Sequence, residues 1–472
     1  MNNLIGRQKE LTAIQNLLSS PKSEFLAIYG RRRVGKTFLI RESFNGEFSF
    51  YVTAMANTAM RQQLANFGVA LKKYGGTSPP KDLPQTWLDA FVRLEELLEK
   101  RKDKKKKVVF IDELPWFDTP RSSFISALEH FWNSWASARN DIVLVVCGSA
   151  ASWMINKLIR NTGGLYNRVT KRIKLEPFSL HETELFLQYK GALYDRYQII
   201  ELYMTMGGIP YYLDQVNVSL SVAQNIDQLF FNSNGLLHQE FEPLYKSLFK
   251  YSERHIRIIE TLSSKAMGLT RNKIIAKSGL PESGAMTRTL RELEESGFIR
   301  KYLPFKRKER SSLYQLVDFY SFFYLKFLGN NSSWDIRQWM NGLDHPRQRA
   351  WAGYAFEQVC LAHVEQIKQG LGIAGIQSTV SSWTGEGAQI DLIIERRDRI
   401  INVCEMKFST SAFVINKTYA QQLKNKISAF RESLATRKPL FLTMITTFGV
   451  KRNEYAISLV QNELTMDVLF VA

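Results

Sequence analysis

Residues Gly30-Arg31-Arg32-Arg33-Val34-Gly35-Lys36-Thr37 spell G-x-x-x-x-G-K-T, a spacing that can cradle a triphosphate. The apolar run Phe25 to Tyr29 before it reads as a buried strand, and Phe38-Leu39-Ile40 after it as the first turn of a helix. A strand turning through glycine into a helix N-terminus aims successive main-chain N–H groups at one point. Gly30 and Gly35 permit the turn and the close approach. Lys36 is expected to reach the β- and γ-phosphates, and the Thr37 hydroxyl to meet Mg²⁺. Arg31, Arg32, Arg33, Val34 and Phe38 complete the loop, while Gly6 and Arg7 are expected over the nucleotide base.

Such a site needs an acidic partner. Val108-Val109-Phe110-Ile111 runs into Asp112-Glu113, as expected of a parallel strand whose C-terminal end lies beside the loop. Asp112 would hold Mg²⁺ through water, and Glu113 would polarise an attacking water, which points to hydrolysis. A third strand, Ile142 to Cys147, ends at Gly148-Ser149. Ser149 is placed either to sense the γ-phosphate or to serve as an ordinary turn serine. Arg168, before the strand Arg172 to Leu175, fits an arginine finger or equally a structural ion pair. Gly207-Gly208-Ile209-Pro210 reads as a turn between helices, with Pro210 offering a flat apolar face to a base.

A chain of 472 residues has room for roughly three domains. Its 63 basic and 45 acidic residues leave a net charge of +18, which favours polyanionic partners, DNA first among them. Cys147, Cys360 and Cys404 sit singly in apolar stretches and read as buried thiols, not bridges. The scattered histidines show no ligand spacing, so no zinc is expected. The start resembles no signal peptide, and the longest apolar stretch, 142–155, is too short to span a bilayer. A cytoplasmic protein without a membrane partner is expected.

Leu11, Ile14, Leu17 and Leu18 share one helical face ahead of the loop. The basic run Arg101 to Lys107 reads most simply as a solvated loop, with nucleic acid as the alternative. Pro177 ends the α/β core, and Leu180, Leu185, Phe186 and Leu187 begin a helical lid. From His255 the pattern becomes three short helices, Thr270 and Ser283 capping the second and third, and then a hairpin from Lys301 to Leu316. That order predicts a winged helix-turn-helix. Thr287, Arg288, Thr289 and Arg291 are the candidates for base contact. Arg271, Lys273 and the hairpin tip Lys306 to Arg310 are the candidates for phosphate contact. A pure packing module is the alternative. An aromatic helix, Phe319 to Phe327, and a linker at Asn330 to Ser333 follow.

Beyond the linker, a helix over 350–366 carries Glu357. The strands Ile390 to Ile394 and Ile400 to Lys407 carry Asp391, Glu405 and Lys407. Antiparallel pairing would bring Asp391 beside Glu405, and alternation puts Glu405 and Lys407 on one face. Glu357, Asp391 and Glu405 could hold Mg²⁺, with Lys407 orienting water against a phosphodiester. Buried acids are costly unless they pair or bind metal, so a structural ion pair stays open beside a catalytic site. An acid on a helix followed by D…ExK resembles the PD-(D/E)xK nucleases. No clear catalytic pattern trails Lys407, and Gln421 and Gln422 are weak candidates.

GRRRVGKT, VVFIDELPWF, GSAASWM, NRVTKRIKLEPFSL and GGIPYYL together resemble the archaeal-type ATPases of the STAND branch of AAA+-related P-loop proteins. The resemblance implies ATP as the nucleotide, with roles for Lys36, Thr37, Asp112, Glu113, Ser149, Arg168 and Pro210. It also implies a switch that closes on ATP. The expected fold is an α/β P-loop NTPase core (1–176) with a helical lid (177–250). A winged helix-turn-helix (251–328) and a C-terminal α/β restriction-endonuclease-like domain (340–472) would follow. Two functions fit: an ATP-gated DNA-processing enzyme, or an ATPase switch whose C-terminal parts only bind DNA or a protein. A homo-oligomer would let Arg168 act on a neighbouring subunit.

Overall fold

Runs of β-branched and aromatic residues, buried on both faces, build the first sheet. Its strands are β1 (Glu24–Tyr29), β2 (Phe50–Thr53), β3 (Lys107–Asp112), β4 (Ile142–Gly148) and β5 (Lys171–Lys174). All pair in parallel, in the order β2-β3-β4-β1-β5. Every residue of β3 and β4 is buried, as a parallel sheet covered on both faces requires. β4 lies between β3 and β1, so the acid-bearing strand is one strand removed from the glycine loop. The computed structural model describes residues 4–75, 83–101, 105–160, 163–165, 167–329, 338–342, 345–385, 387–434 and 437–472. The chain divides into two compact units, Met1–Glu176 and Pro177–Ala472.

In the first unit the helices Met60–Gly75, Trp87–Lys100 and Phe124–His130 contribute to one aromatic core. Thr86 caps the second of them by accepting the Asp89 N–H at 3.1 Å. Trp87 is fully enclosed and meets Phe67, Phe117 and Phe124 edge-on at 5.7, 5.2 and 4.8 Å. The N-terminal helix Gln8–Leu18 buries Ile14 and Leu17, but Leu18 is exposed, one residue beyond the buried stripe.

The basic run before β3 is not an open loop over its described residues. Lys107 is buried within β3 and pairs with Asp141 at 3.0 Å. Lys106 donates to the Lys22 carbonyl, and Arg101 to that of Ser49 at 3.3 Å. Residues 102–104 lie outside the described residues.

The second unit contains two sheets. β6 (Leu269–Thr270), β7 (Ile299–Tyr302) and β8 (Leu313–Leu316) form a small antiparallel sheet, ordered β6-β8-β7. Ahead of and among these strands run the helices Ser252–Ser263, Arg271–Ser278 and Gly284–Glu295. Thr270 and Ser283 cap the last two, each accepting an N–H at 3.4 Å. Arg288 and Arg291 are exposed on the third helix, whereas Thr289 is buried and donates to the Ala285 carbonyl at 2.9 Å. Thr289 therefore faces the interior and is no candidate for base contact. Arg271 pairs with Glu282 at 2.5 Å, and Lys273 is exposed.

β9 (Ser378–Gly385), β10 (Ala388–Arg396), β11 (Ile401–Lys407), β12 (Leu440–Thr446) and β13 (Asn462–Thr465) form the larger sheet, ordered β13-β12-β11-β10-β9. The helix carrying Glu357 starts earlier than its apolar pattern suggested, at Pro346, and ends at Ala362. His363 breaks it and accepts the Leu180 N–H at 3.0 Å. Leu180 opens the helix Leu180–Tyr189, whose Ser179 and Glu182 form a reciprocal capping box. The segment expected as a lid thus packs on the C-terminal helix within one unit. At Gly208 an added Cβ would stand 1.9 Å from the Phe178 carbonyl oxygen, so only glycine fits there.

The β7–β8 hairpin is anchored rather than free. Phe305 donates its N–H to the Ser382 carbonyl of β9 at 2.7 Å and inserts beside Trp383 and Phe430. The tip residues Lys306 to Arg310 stay exposed. The aromatic helix Phe319–Phe327 is capped by Asp318, which accepts the Ser321 N–H at 2.9 Å. The expected linker at Asn330 to Ser333 lies outside the described residues. Among the described residues no helix is long and apolar enough to cross a membrane.

Replacing Trp87 with alanine empties the space between three rings. The expected cost is about 3–5 kcal/mol of unfolding free energy. Urea denaturation of Trp87→Ala against the parent chain reads it directly.

Candidate functional site

β1 delivers the chain to Gly30, whose φ of 149° and tight approach to β5 exclude a side chain. A Cβ there would lie 2.3 Å from the Leu175 carbonyl oxygen. Gly35, with φ of 88°, turns the chain into the helix Lys36–Ser43. The N-terminal N–H groups of that helix have no intrahelical acceptors and face the loop. Lys36 is buried and donates to the carbonyls of Gly30 at 3.1 Å and Arg31 at 2.8 Å. Burial lowers its pKa, opposed by the charges of Glu113 and Asp112 among others.

Arg31 and Val34 are buried, Arg32 and Phe38 exposed, and Arg33 adopts a left-handed φ of 72°. Arg7 is buried and donates to the Val34 carbonyl at 3.3 Å, with Gly6 left-handed beside it. The N-terminal segment therefore leans on the loop.

The acids of β3 meet this loop. The Thr37 hydroxyl donates to Asp112 Oδ2 at 2.9 Å, and Asp112 Oδ1 accepts the Glu113 N–H at 2.9 Å. Burial raises the pKa of Asp112, while the Thr37 hydrogen bond opposes the rise. Glu113 sits just past β3 in a left-handed conformation, φ 50°, costly for a residue with a Cβ. Its carboxylate is clamped by Ser149: the hydroxyl donates to Oε1 at 2.8 Å and the N–H to Oε2 at 3.3 Å. Ser149 thus binds the acid next door, a contact that neither of its expected roles included.

Arg168 is exposed and, among the described residues, has no carboxylate at ion-pair distance. Pro210 begins the short helix Pro210–Leu213 in the second unit.

The second constellation lies on β10, β11 and two helices. β10 and β11 pair antiparallel with Leu392 opposite Cys404, so the same register sets Asp391 opposite Glu405. On its other side β10 carries a bulge against β9, between Ile390 and Ile393. Bulges of this kind re-aim side chains. Asp391 accepts a hydrogen bond from Gln389. Glu405 is buried and holds three partners: Lys407 at 2.9 Å, Lys426 at 2.6 Å and the Tyr419 hydroxyl at 2.6 Å.

Burial alone would raise the pKa of Glu405, but Lys407 and Lys426 hold it below the usual value. Asp391 is pushed up, chiefly by burial. Glu357 is pushed to about 8 by burial and then by the charge of Asp391. Among the described residues no three histidine, cysteine, aspartate or glutamate side chains stand where they could hold a metal ion. Of the acids expected to hold metal, Glu405 carries two ammonium groups in this arrangement.

Tyr419 and Lys426 escaped the sequence reading. They lie seven residues apart on the helix Lys417–Leu434, two turns along one face. That spacing was legible, but nothing in it pointed at Glu405. Gln421 donates to Asn425 at 2.9 Å and Gln422 is exposed, so the helix offers other residues to the acid.

Residues 4–216 match the family model described as an ATPase domain predominantly from Archaea. The front of the chain is accordingly similar to ATPase domains of archaeal type. An uncharacterised protein of Methanocaldococcus jannaschii is 24% identical over 397 residues, 82% of this chain and 83% of that protein. The Walker-type ATPase of Pyrococcus abyssi is 17% identical, with a TM-score of 0.49 over 69% of this chain and 96% of that one. A signal transduction ATPase with numerous domains, carrying a tetratricopeptide repeat sensor, from Pyrococcus horikoshii is 16% identical. Its TM-score is 0.31 over 79% of this chain and 52% of that one.

The pKa of Glu357 has a measurable sign. A carboxyl raised from 4.5 to about 8 on folding binds its proton more tightly in the native state. Stability is full below the unfolded value, falls as pH rises toward the folded value, and stays lower above it. Glu357→Gln should melt above the parent at about pH 9 and with it at about pH 4. Thermal denaturation at the two pH values checks this; equal shifts at both would contradict it.

Proposed function

We propose that the protein is a Mg²⁺-dependent, ATP-hydrolysing switch of the STAND type that acts on DNA. One observation carries the ATPase part: Thr37, Asp112, Glu113 and Ser149 form an unbroken hydrogen-bonded row beside the loop that buries Lys36. Thr37 and Asp112 suit Mg²⁺, being a hydroxyl and a buried carboxylate already in register with each other. Mg²⁺ held there would neutralise charge on the bridging phosphate oxygens.

The chain's own residues do the rest. Main-chain N–H groups at the start of the helix Lys36–Ser43 bind the phosphates. Lys36 exchanges two carbonyl oxygens for phosphate oxygens, a stronger, charge-assisted pairing. Glu113 becomes a stronger base toward water when Ser149 releases an oxygen. A γ-phosphate that draws the Ser149 hydroxyl to itself would free Glu113, so sensing and base activation become one event. Arg168, exposed, is the residue to reach a γ-phosphate in its own chain or a neighbour's. Pro210, Gly6 and Arg7 are assigned to the base.

For the second unit we infer a helical lid at 177–250, a winged helix-turn-helix at 251–328 and a PD-(D/E)xK nuclease-like domain at 340–472. The net charge of +18 supports DNA as the partner, as do exposed Lys273, Arg288, Arg291 and Lys306 to Arg310. Asp391, Glu357 and Glu405 would hold Mg²⁺ once Lys426 yields, and Lys407 would position water. A second reading has its own support. With Glu405 neutralised by two ammonium groups, the C-terminal sheet serves only to bind DNA or a protein.

One experiment separates these readings. Full-length protein with Mg²⁺ and DNA, with and without ATP, is compared with Lys36→Ala and Asp391→Ala. Lys36→Ala should lose at least about a hundredfold in ATP turnover, in line with losing a group that stabilises transferring phosphate. Asp391→Ala should abolish nicking and leave ATP turnover intact. Turnover that survives Lys36→Ala removes the ATPase assignment. If no DNA is cut in any nucleotide state, the binding-module reading stands.

A further inference from the structure

Arg300 lies on β7, outside the carboxylate constellation. Its guanidinium donates twice to a single amide oxygen, Gln315 Oε1, from Nε at 2.8 Å and Nη2 at 2.5 Å. Among the described residues no carboxylate stands at ion-pair distance from it. Its ring neighbour is Tyr302, 5.4 Å from the guanidinium carbon. Arg300 is half-buried, and a guanidinium with its five N–H donors is costly to desolvate unless an anion meets it.

The surroundings fix where that charge lies. Gln315 also donates to the Tyr354 hydroxyl at 3.2 Å and to the Ala266 carbonyl at 2.7 Å. Tyr354 in turn donates to the same carbonyl at 2.7 Å. Tyr354 stands three residues before Glu357 on the helix Pro346–Ala362, on the same face of that helix. Phe305, three residues beyond Tyr302, is pinned to β9 beside the Asp391 bulge. The small sheet therefore contacts both the helix that carries Glu357 and the strand that pairs with β10. Burial lowers the pKa of Arg300, opposed by Tyr354, Tyr302 and Asp391, which agrees with this placement.

We propose that Arg300 is the phosphate-binding arginine of the C-terminal site, holding one backbone phosphate of a DNA strand next to Asp391 and Glu357. The inference rests on the DNA reading above and deepens it. The site then takes its acids from β10, β11 and a helix, and its anion receptor from the small sheet. A planar fork of donors suits a phosphodiester, which two N–H groups can grip side by side. The phosphate would supply the ion-pair partner that Arg300 lacks among the described residues. Arg300 is a binding residue here and transfers no proton.

The test uses full-length protein and a short labelled duplex, with affinity followed against salt. Arg300→Gln and Arg300→Met should bind about tenfold more weakly, and the slope of log K in log[salt] should shrink by about 0.9, one phosphate contact. Arg300→Lys should restore most of the slope but not the affinity. Melting temperature provides the second readout. A merely structural arginine would lower the melt on removal and leave the salt slope of DNA binding unchanged, whereas a phosphate-binding one changes the slope. Inorganic phosphate at matched ionic strength should not displace the duplex. If it does, the site takes free phosphate and the DNA assignment of Arg300 is overturned. If the parent binds duplex and the Arg300 variants match its affinity and slope, the inference fails while the DNA reading survives. If the parent binds no DNA at all, both fall together.

Discussion

A buried ammonium group is the constraint from which the first unit follows. Lys36 has as hydrogen-bond acceptors two main-chain carbonyls, neither carrying a full charge. Desolvating a lysine without an anion is unfavourable, and its lowered pKa expresses that cost. The loop tolerates the strain because its shape is dictated from outside. Gly30 is pressed against the Leu175 carbonyl of the strand next door, and Gly35 is held left-handed by the helix it starts. The cradle is therefore built before any phosphate arrives, and binding need not pay for ordering it.

Charge is handled differently in the second unit. There the acids are in excess locally, and three mechanisms keep them tolerable. Glu405 is neutralised by two lysines and a tyrosine hydroxyl. Glu357 moves its pKa to about 8 and so stays largely protonated at neutral pH. Asp391 is held at a bulge and accepts from Gln389. Clusters in which neighbouring acids are driven apart in pKa are characteristic of sites that exchange protons or cations.

The legible part of this protein was the part written in local pattern. The loop G-x-x-x-x-G-K-T, the β-branched runs of β1, β3 and β4, and the caps at Thr270 and Ser283 each announce themselves within a few residues. The pairing of β10 with β11 followed from two adjacent apolar strands. What stayed hidden depends on distance in sequence. Ser149 reaches Glu113 across 36 positions, and Lys426 reaches Glu405 across 21. Thr289 looked available because it sits between two exposed arginines, yet helical geometry turns it inward. The bulge at Asp391 has no marker in composition, since no glycine or proline forms it.

Anchoring of the hairpin limits how the parts of the second unit can move. To move the helix Gly284–Glu295 away from β10 and β11, Phe305 would have to leave Trp383 and Phe430. Exposing one such ring costs about 2–3 kcal/mol, before the Phe305 hydrogen bond to Ser382 is counted. The contacts of Tyr354 with Gln315 and with the Ala266 carbonyl would break as well. A change of that size exceeds what a local rearrangement in the hairpin could drive. The small sheet and the larger one therefore act as a single body.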